Sequence, residues 1–455
     1  MSRKLLVSLI SAVAVVVAVV LVVVFLWIPR SQPKPDPIAA TVPVALSKAN
    51  LPKGVKIGII VTAGSGAAEG AEWRAAAEGA RVAQQRLALG GTQLKLVTED
   101  DRGTSAGGKE AVDALIDEDV AGIVLASSGK HLGGAIEAAA EAGVPVILPY
   151  AQPPKGSESV WSLDSAETDN AEKLESVLSE YRHPLFVDAG STLPEGVRID
   201  DRVAYKSGTE LPAFVDTLVH RTGTDALAGG AYGGGEHEDE PKKEPVEDPA
   251  DALLISGNPA LQATIVAALQ QRGVSVPILM TPEAISPTFS ATLLERGGSV
   301  TPQLRTVGNQ WNDTLALNAD AQGRSMSAFL AATRQFTYDK NIKNLSEDAS
   351  FDEVAGNADV RSHDAVIALV EAISQANSIE PKEVERKLSG LTLNSGDGIA
   401  GPDLDFSSPE ANKGEVSVMR ATDQYLGLRS QVENGTDRLV WFTEPISDGT
   451  QVSAE

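Results

Sequence analysis

Short apolar runs alternate with amphipathic stretches along residues 56–148. Residues 56–62 (KIGIIVT), 93–98 (QLKLVT) and 121–126 (AGIVLA) are rich in Val, Ile and Leu, as buried strands are. The stretch from 69 to 89 between the first two runs is Ala-rich and reads as a helix. The same reasoning predicts helices at 106–116 and 132–142 and a strand at 144–148. Strands that alternate with helices of this length predict a parallel sheet covered on both faces.

A second alternation of the same kind follows farther along the chain. Its predicted strands are 184–188, 202–205, 252–255 and 276–280, and its predicted helices are 211–221 and 259–272. In the last third, helical spacing of apolar residues predicts helices at 326–335, 362–377 and 381–388, before a terminal hairpin that ends at Trp441 and Phe442. The pattern therefore predicts an α/β protein with two sheets.

The chain begins with an apolar run that is long enough to cross a bilayer. From Leu5 to Ile28 only two residues, both serines, are not apolar, and as a helix the run would measure roughly 36 Å. A cleavable signal peptide has a shorter apolar region that ends at small residues, which is the alternative reading. We expect an uncleaved single-pass anchor at 1–29, with a cytoplasmic N-terminus favoured by Arg3 and Lys4. A Pro-rich linker is expected at 30–53.

Composition and charge exclude several classes of function. The net charge of −24 disfavours nucleic acid as a partner, because one polyanion repels another. The absence of cysteine rules out disulfides, thiolate metal sites and cysteine nucleophiles. The five histidines are scattered without metal-ligand spacing, and no Gly-x-x-x-x-Gly-Lys-Ser/Thr phosphate loop occurs. We therefore expect a protein that is not an enzyme and that uses no cofactor and no metal ion.

Three loops of the first unit follow predicted strands and precede helices or turns. They are 63–68 (AGSGAA), 127–131 (SSGKH) and 149–154 (PYAQPP). Ligands of parallel sheets bind at the carboxyl ends of the strands, where helix N-termini offer free N–H groups. Ser65, Ser127 and Ser128 are therefore candidate ligand residues, although turn formation and helix capping explain the same serines equally well.

Several motifs occur along the chain in a characteristic order. They are Ser65-Gly66-Ala67-Ala68-Glu69-Gly70, the acidic strand end Glu99-Asp100-Asp101, the stretch 121–152, His363-Asp364-Ala365-Val366 and Gly398-Ile399-Ala400-Gly401-Pro402. In this order they resemble type I periplasmic binding proteins, in particular the branched-chain amino-acid and amide binding group of ABC transporter solute-binding proteins. The resemblance covers nearly the whole region after the linker.

The resemblance implies a two-lobed fold in which three crossings of the chain join the lobes around a cleft that closes on a ligand. Lobe 1 is expected to comprise 54–163 and 314–392, and lobe 2 to comprise 164–313 and 393–445, with a disordered loop at 229–250. The matching ligand-binding positions are Ser65, Ser127, Ser128, Ala151 and Gln152 in lobe 1, and Thr281, Glu283, Gln310 and Trp311 in lobe 2 and its return strand.

One segment departs from the family pattern and leaves two functions open. Residues 188–201 are short and lack the long helix that the family carries after the first strand of lobe 2. One hypothesis is a membrane-anchored extracytoplasmic solute-binding protein or sensor for a small, polar, amino-acid-like ligand, which serves a transporter. The other is a ligand-independent adaptor or regulator of an envelope-assembly or transport complex, with a degenerate binding-protein fold.

Overall fold

The computed structural model describes residues 43–48, 51–64, 68–206, 208–225, 246–423, 429 and 439–443. The predicted anchor at 1–29 and most of the loop predicted at 229–250 lie outside these residues. Within the described ranges, no helix combines the length and the apolar character needed to cross a membrane.

The first sheet consists of five parallel strands in the order β2-β1-β3-β4-β5. The strands are β1 (Lys56–Val61), β2 (Lys95–Asp100), β3 (Ile123–Leu125), β4 (Val146–Leu148) and β5 (Val160–Ser162). The helices between them are α1 (Gly79–Leu89), α2 (Ser105–Asp117) and α3 (Leu132–Ala142). Every residue of β3, β4 and β5 is buried, as in a parallel sheet that is covered on both faces.

The second sheet has seven strands in the order β14-β13-β10-β9-β8-β6-β7. Its strands are β6 (Pro184–Ala189), β7 (Asp201–Ala204), β8 (Ala252–Gly257), β9 (Ile278–Met280), β10 (Leu304–Asn309), β13 (Val416–Thr422) and β14 (Val440–Thr443). The helices along this stretch are α4 (Glu167–Leu178), α5 (Leu211–Arg221), α6 (Pro259–Gln271) and α7 (Pro287–Glu295). Five strands run parallel, and β13 and β14 complete one edge as an antiparallel pair.

The chain then returns to the first lobe. The returning elements are α8 (Ala321–Phe336), α9 (Val360–Ala376), α10 (Pro381–Leu388), β11 (Thr392–Leu393) and β12 (Leu404–Asp405). Helix α9 is buried along most of its length in the same apolar cluster as β1 and α1. This cluster also contains Leu393, Ile399 and Phe406, which lie beyond residue 392. The lobe limits stay a prediction, and this packing favours a later end for lobe 1.

Three segments cross between the lobes, and one asparagine joins them. They follow β5, follow β10 and precede β13. Asn309 Oδ1 accepts a hydrogen bond from Ser165 Oγ at 2.7 Å, and Asn309 Nδ2 donates to the carbonyl oxygen of Gly414 at 3.0 Å. The side chain of Asn309 therefore connects all three crossings at the hinge.

The helix predicted over 69–89 is divided in the structure. Two 3-10 helices, Ala71–Trp73 and Ala76–Glu78, precede α1. The carbonyl oxygen of Ala76 accepts hydrogen bonds from the Asp359 amide at 2.9 Å and from Ser362 Oγ at 3.0 Å. The start of α9 thus competes for backbone acceptors that a continuous helix would use internally.

The end of the predicted linker is packed on lobe 1. The Leu46 amide donates to the carbonyl oxygen of Arg86, and Arg86 Nε donates to the carbonyl oxygen of Val44, both at 2.9 Å. Lys48 forms an ion pair of 2.7 Å with Glu371 of α9. Residues 43–48 therefore form part of the folded unit rather than a free tether.

Candidate ligand-binding site

Polar side chains meet where three strands of the first sheet end. Thr62, Asp101 and Ser127 directly follow β1, β2 and the β3 region, and all three have no solvent exposure. Thr62 Oγ1 donates to Asp101 Oδ1 at 2.6 Å and lies 2.7 Å from Ser127 Oγ. The carboxyl ends of neighbouring parallel strands place these groups together, and each satisfies its neighbours.

His131 connects this buried group to the loop that covers it. Its Nε2 lies 3.0 Å from Asp101 Oδ2, and its Nδ1 lies 3.3 Å from Glu69 Oε2. Burial lowers the pKa of His131, but the hydrogen bonds and negative charges of Asp101 and Glu69 outweigh that effect and raise the pKa overall. The imidazolium form is thus favoured, with both ring nitrogens able to donate to carboxylates.

Gly70 lies directly over Ser127. It adopts φ 94°, which glycine tolerates better than other residues, and an added Cβ would overlap Ser127 Oγ and lie 2.8 Å from Thr62 Oγ1. The covering loop can approach the strand ends this closely because residue 70 has no side chain. Ser127 therefore contacts the protein's own loop in this structure, and its role in binding a ligand stays a prediction.

The neighbouring Ser128 makes a different contact, which involves a carboxylate of the same loop. Ser128 Oγ donates to Glu72 Oε1 at 2.6 Å, and the Gly70 amide donates to Glu72 Oε2 at 2.9 Å. The carbonyl oxygen of Glu72 accepts a 3.4 Å hydrogen bond from Thr288 Oγ1 of α7 in lobe 2. Glu72 thus lies where the two lobes meet.

The second lobe contributes the loop after β9. Thr281 is buried, and its Oγ1 accepts a hydrogen bond from Gln262 Nε2 at 3.0 Å. Glu283 remains exposed, yet desolvation by the surrounding protein raises its pKa, a hydrogen bond from Thr281 lowers it, and the charges of Asp164 and Glu72 raise it further. The charges of Glu72 in lobe 1 and of Asp164 in the first crossing therefore act on a carboxylate of lobe 2.

A buried cation of lobe 1, Arg361, lies beside Asp164 of the first crossing. The rings of Trp73 and Tyr150 stack with centroids 4.5 Å apart, and Arg361 Cζ lies 4.7 Å from each ring centroid. Arg361 also pairs with Asp359 at 3.1 Å and with Asp164 at 3.5 Å. Burial lowers the pKa of Arg361, but the two carboxylates outweigh burial and raise it. The guanidinium is thus held by aromatic faces and by anions.

The other predicted site residues lie at the hinge, in the core or outside the described residues. Gln152 Nε2 donates to the carbonyl oxygen of Ser165 at 2.7 Å, and the carbonyl oxygen of Ala151 accepts from Ser162 Oγ at 2.8 Å. Gln310 is half-buried, and Trp311 is buried in the core of lobe 1. Ser65 lies outside the described residues. Their roles in ligand binding stay predictions.

Sequence reasoning missed Glu72, Asp164 and Arg361. The sequence pattern places Glu72 within the predicted helix 69–89, and the other two residues lie in segments without a recognised motif. The sequence does place Glu72 just after the loop 63–68. This position could have marked Glu72 as a candidate site residue, because charged residues beside a strand end can turn toward a cleft.

Ser105 has the spacing of a hydrolase nucleophile but not its partners. Residues 103–107 read Gly-Thr-Ser-Ala-Gly, and they span the N-cap and the first turn of α2, shortly after β2. Thr104 Oγ1 accepts from the Gly107 amide, so this segment serves as a helix cap. Among the described residues, no hydrogen bond joins Ser105 to a histidine or carboxylate side chain. The stretch does not assemble a nucleophile with a base.

Glu78, which is buried just before α1, is expected to make the protein less stable as the pH rises. Both of its carboxylate oxygens accept from the Leu345 amide, at 2.9 and 3.1 Å, and burial raises its pKa to about 7. Between the pKa of Glu78 in the unfolded chain and its pKa in the folded protein, the native state binds more protons than the unfolded state. The free energy of unfolding therefore falls as the pH rises from about 4.5 to 7. At about 1.4 kcal/mol per pKa unit, the loss is on the order of 3 kcal/mol.

Urea unfolding of the wild type and of Glu78→Gln at several pH values measures this effect. The stability difference between the two proteins should shift in favour of Glu78→Gln as the pH rises through this window, because glutamine does not ionise. A difference that is independent of pH would contradict the expectation.

The first part of the chain, residues 54–179, matches the family model of periplasmic binding proteins. The chain has the two-lobed type I periplasmic-binding-protein fold, as its resemblance to this class predicted. No curated protein matches the sequence.

Among solved structures, the chain is similar to a leucine-binding protein from Thermotoga maritima, with TM-score 0.57 and 18% identity over 86% of this chain and 98% of that one. A branched-chain amino acid transporter substrate-binding protein from Streptococcus pneumoniae, in complex with isoleucine, gives TM-score 0.55 and 16% identity over 86% and 99% of the two chains. An ABC transporter substrate-binding protein from Desulfitobacterium hafniense, complexed with leucine, gives TM-score 0.53 and 15% identity over 85% and 99%. At sequence identities this low, the structural similarity shows the fold alone.

Proposed function

We propose that the chain is an extracytoplasmic solute-binding protein whose lobes close on a small, polar, amino-acid-like ligand on behalf of a membrane transporter. The proposal is supported by the two-lobed periplasmic-binding-protein fold, in which Glu283 of lobe 2 feels the charges of Glu72 in lobe 1 and Asp164 at the hinge. Loops from both sheets therefore reach one cleft, where a ligand can gain hydrogen bonds from both lobes at once. In this proposal the run from Leu5 to Ile28 anchors the protein, and the chain catalyses no reaction.

The electrostatics of the cleft suit a ligand that carries an ammonium group. Desolvation, and to a smaller extent the charges of Asp164 and Glu72, disfavour the charged form of Glu283 and raise its pKa. A ligand cation that enters between these carboxylates relieves their repulsion and gains charge-assisted hydrogen bonds. The solved structures similar to this chain include proteins in complex with isoleucine and with leucine.

Thermal unfolding of the purified chain with a panel of amino acids tests the proposal. A ligand at ~100 times its Kd should stabilise the native state by about 2.7 kcal/mol and raise Tm. Glu283→Ala should weaken the response, whereas Glu295→Ala, which removes an exposed carboxylate of α7, should retain it. No rise with any amino acid, or an equal rise in both variants, would count against closure on such a ligand at this cleft.

The second candidate function is a ligand-independent adaptor of an envelope-assembly or transport complex. It is favoured by the contact between Thr288 of lobe 2 and Glu72 of lobe 1, because the chain itself supplies a bridge between the lobes. The adaptor predicts no thermal response to the amino-acid panel, together with stoichiometric co-purification of one envelope protein from native membranes without added ligand. A thermal response specific to one amino acid would exclude it.

A further inference from the structure

His131 lies between two carboxylates that differ in burial. Its Nε2 lies 3.0 Å from Asp101 Oδ2, and its Nδ1 lies 3.3 Å from Glu69 Oε2. The side chain of Asp101 is fully buried, whereas half of the Glu69 side chain is exposed. Asp101 follows β2, and Glu69 belongs to the covering loop, which comprises residues 68–73. The imidazole ring therefore joins the end of a strand to this loop.

Of these two contacts, the one with Glu69 depends on the charge of the ring. A neutral imidazole carries a single N–H, and the buried Asp101 Oδ2 needs it most, because an unsatisfied buried acceptor is costly. The proton then stays on Nε2, and the lone pair of Nδ1 faces the carboxylate of Glu69. Among the described ion pairs, His131 is the cationic partner of Glu69. Loss of the charge thus replaces an attraction at the loop by a repulsion.

The charges around His131 favour its protonated form. Burial lowers the pKa of the ring, but hydrogen bonds and negative charges from Asp101 and Glu69 outweigh burial and raise it. Stabilisation that depends on a raised pKa is present at low pH and is lost as the pH rises through that pKa. Other charged groups on the neighbouring elements bind elsewhere or are exposed. Asp100 accepts from the Ala63 amide, Glu72 accepts from Ser128, and the exposed groups are Arg102, Lys109, Glu110, Lys130, Glu137 and, in lobe 2, Glu283.

The covering loop places Glu72 between the lobes. Ser128 Oγ donates to Glu72 Oε1 at 2.6 Å, and Thr288 Oγ1 of lobe 2 donates to the carbonyl oxygen of Glu72 at 3.4 Å. At the end of the loop, the ring of Trp73 stacks on the ring of Tyr150, with centroids 4.5 Å apart. These contacts depend on the position of the loop, which the pair between His131 and Glu69 helps to fix. A change at His131 therefore reaches the cleft.

We propose that His131 is a pH-sensitive clasp: the protonated ring holds the covering loop on the strand ends, and loss of its proton as the pH rises releases the loop. Release of the loop displaces Glu72, one of the carboxylates that act on Glu283 in the cleft. Binding of an amino-acid ligand should therefore weaken over the same pH range, and this last step rests on the proposed function.

Hydrogen exchange of residues 68–73 in the full chain measures the clasp without any ligand. The amides of Gly70, Ala71 and Trp73 form hydrogen bonds within this loop, so their exchange reports its position. After correction for the intrinsic exchange rate, their protection should fall about tenfold between about pH 6 and about pH 9. In His131→Gln, whose side chain does not titrate, the change should stay below about twofold. This variant retains Glu78, so the titration of that carboxyl affects both proteins alike.

Two further variants keep the test decisive if His131→Gln does not fold. Glu69→Gln changes an exposed side chain of the loop, and it should lower both the protection of the loop at acidic pH and the pKa of His131, measured by NMR. A purely structural role of Glu69 would leave the pKa of His131 unchanged. His183→Gln, which removes an exposed histidine of lobe 2, is the matched control and should behave like the wild type. Equal pH dependence of loop protection in the wild type and His131→Gln would overturn the inference.

Calorimetric titration with L-leucine at the same two pH values separates the clasp from the proposed function. From the lower to the higher pH, leucine binding should weaken about tenfold more in the wild type than in His131→Gln, because titration of leucine and of Glu283 is common to both. Loop protection that falls with pH, without leucine binding in any variant, would support the clasp and count against leucine as the ligand. Leucine binding together with loop protection that is independent of pH would overturn the clasp and leave the proposed function standing.

Discussion

Replacing Asp364 by alanine is expected to lower the free energy of unfolding by on the order of 4 kcal/mol. Asp364 is fully buried, and its carboxylate accepts from His363 Nδ1 at 2.7 Å, from the Ala400 amide at 2.9 Å and from the Gly401 amide at 2.8 Å. Arg86 Nη1 donates to His363 Nε2 at 2.9 Å, so the imidazole proton lies on Nδ1 and points to Asp364. Alanine leaves three buried donors without an acceptor.

Urea unfolding monitored by circular dichroism measures this loss. Asp403→Ala is the matched control, because Asp403 is an exposed aspartate of the same loop region, and its change should stay within about 0.5 kcal/mol of the wild type. Equal stabilities of the two variants would show that the buried carboxylate does not organise this part of lobe 1.

Replacing Gly79 by alanine is expected to destabilise the protein by about 3 kcal/mol. A Cβ at this position would overlap the backbone carbonyl oxygen of Asp359 and lie 2.5 Å from Ser362 Oγ. Both partners belong to the start of α9, which packs closely against α1. The group in contact with the added Cβ is a backbone carbonyl, which cannot rotate away as a side chain can. The two helices would therefore have to separate.

Gly133→Ala is the matched control for the helix-propensity effect of the same substitution. Gly133 is an exposed residue of α3, and no atom lies within 4 Å of an added Cβ. Alanine favours the helix there, and we expect a gain of up to about 1 kcal/mol. The two substitutions should thus shift Tm in opposite directions, and a shared direction would contradict the close contact between α1 and α9.

The alternating pattern made most of the α/β elements predictable from the sequence. Helices α3 and α5 lie at the predicted 132–142 and 211–221. The end of α3 is marked by Gly143, which adopts the left-handed conformation typical of a helix C-terminus. Helices α4 and α7 are not predicted, because polar residues are interspersed among their apolar positions and weaken the helical pattern.

Features that depend on contacts between distant segments were not predictable. The division of the 69–89 helix depends on Asp359, whose amide bonds to Ala76 across the core. The environment of Glu72 depends on Ser128, which is 56 residues away. The three candidate loops of lobe 1 could be located by periodicity, but the partner of each side chain could not be read from local sequence.

The packing of residues 43–48 determines which lobe bears a force that is applied to the preceding chain. Val44, Leu46 and Lys48 are fastened to α1 and α9 of lobe 1 by hydrogen bonds and an ion pair. Tension on the chain ahead of Pro43 is therefore borne by lobe 1. In the proposed function, lobe 2 moves relative to lobe 1 about the hinge at Asn309, and this movement leaves the contacts of residues 43–48 in place.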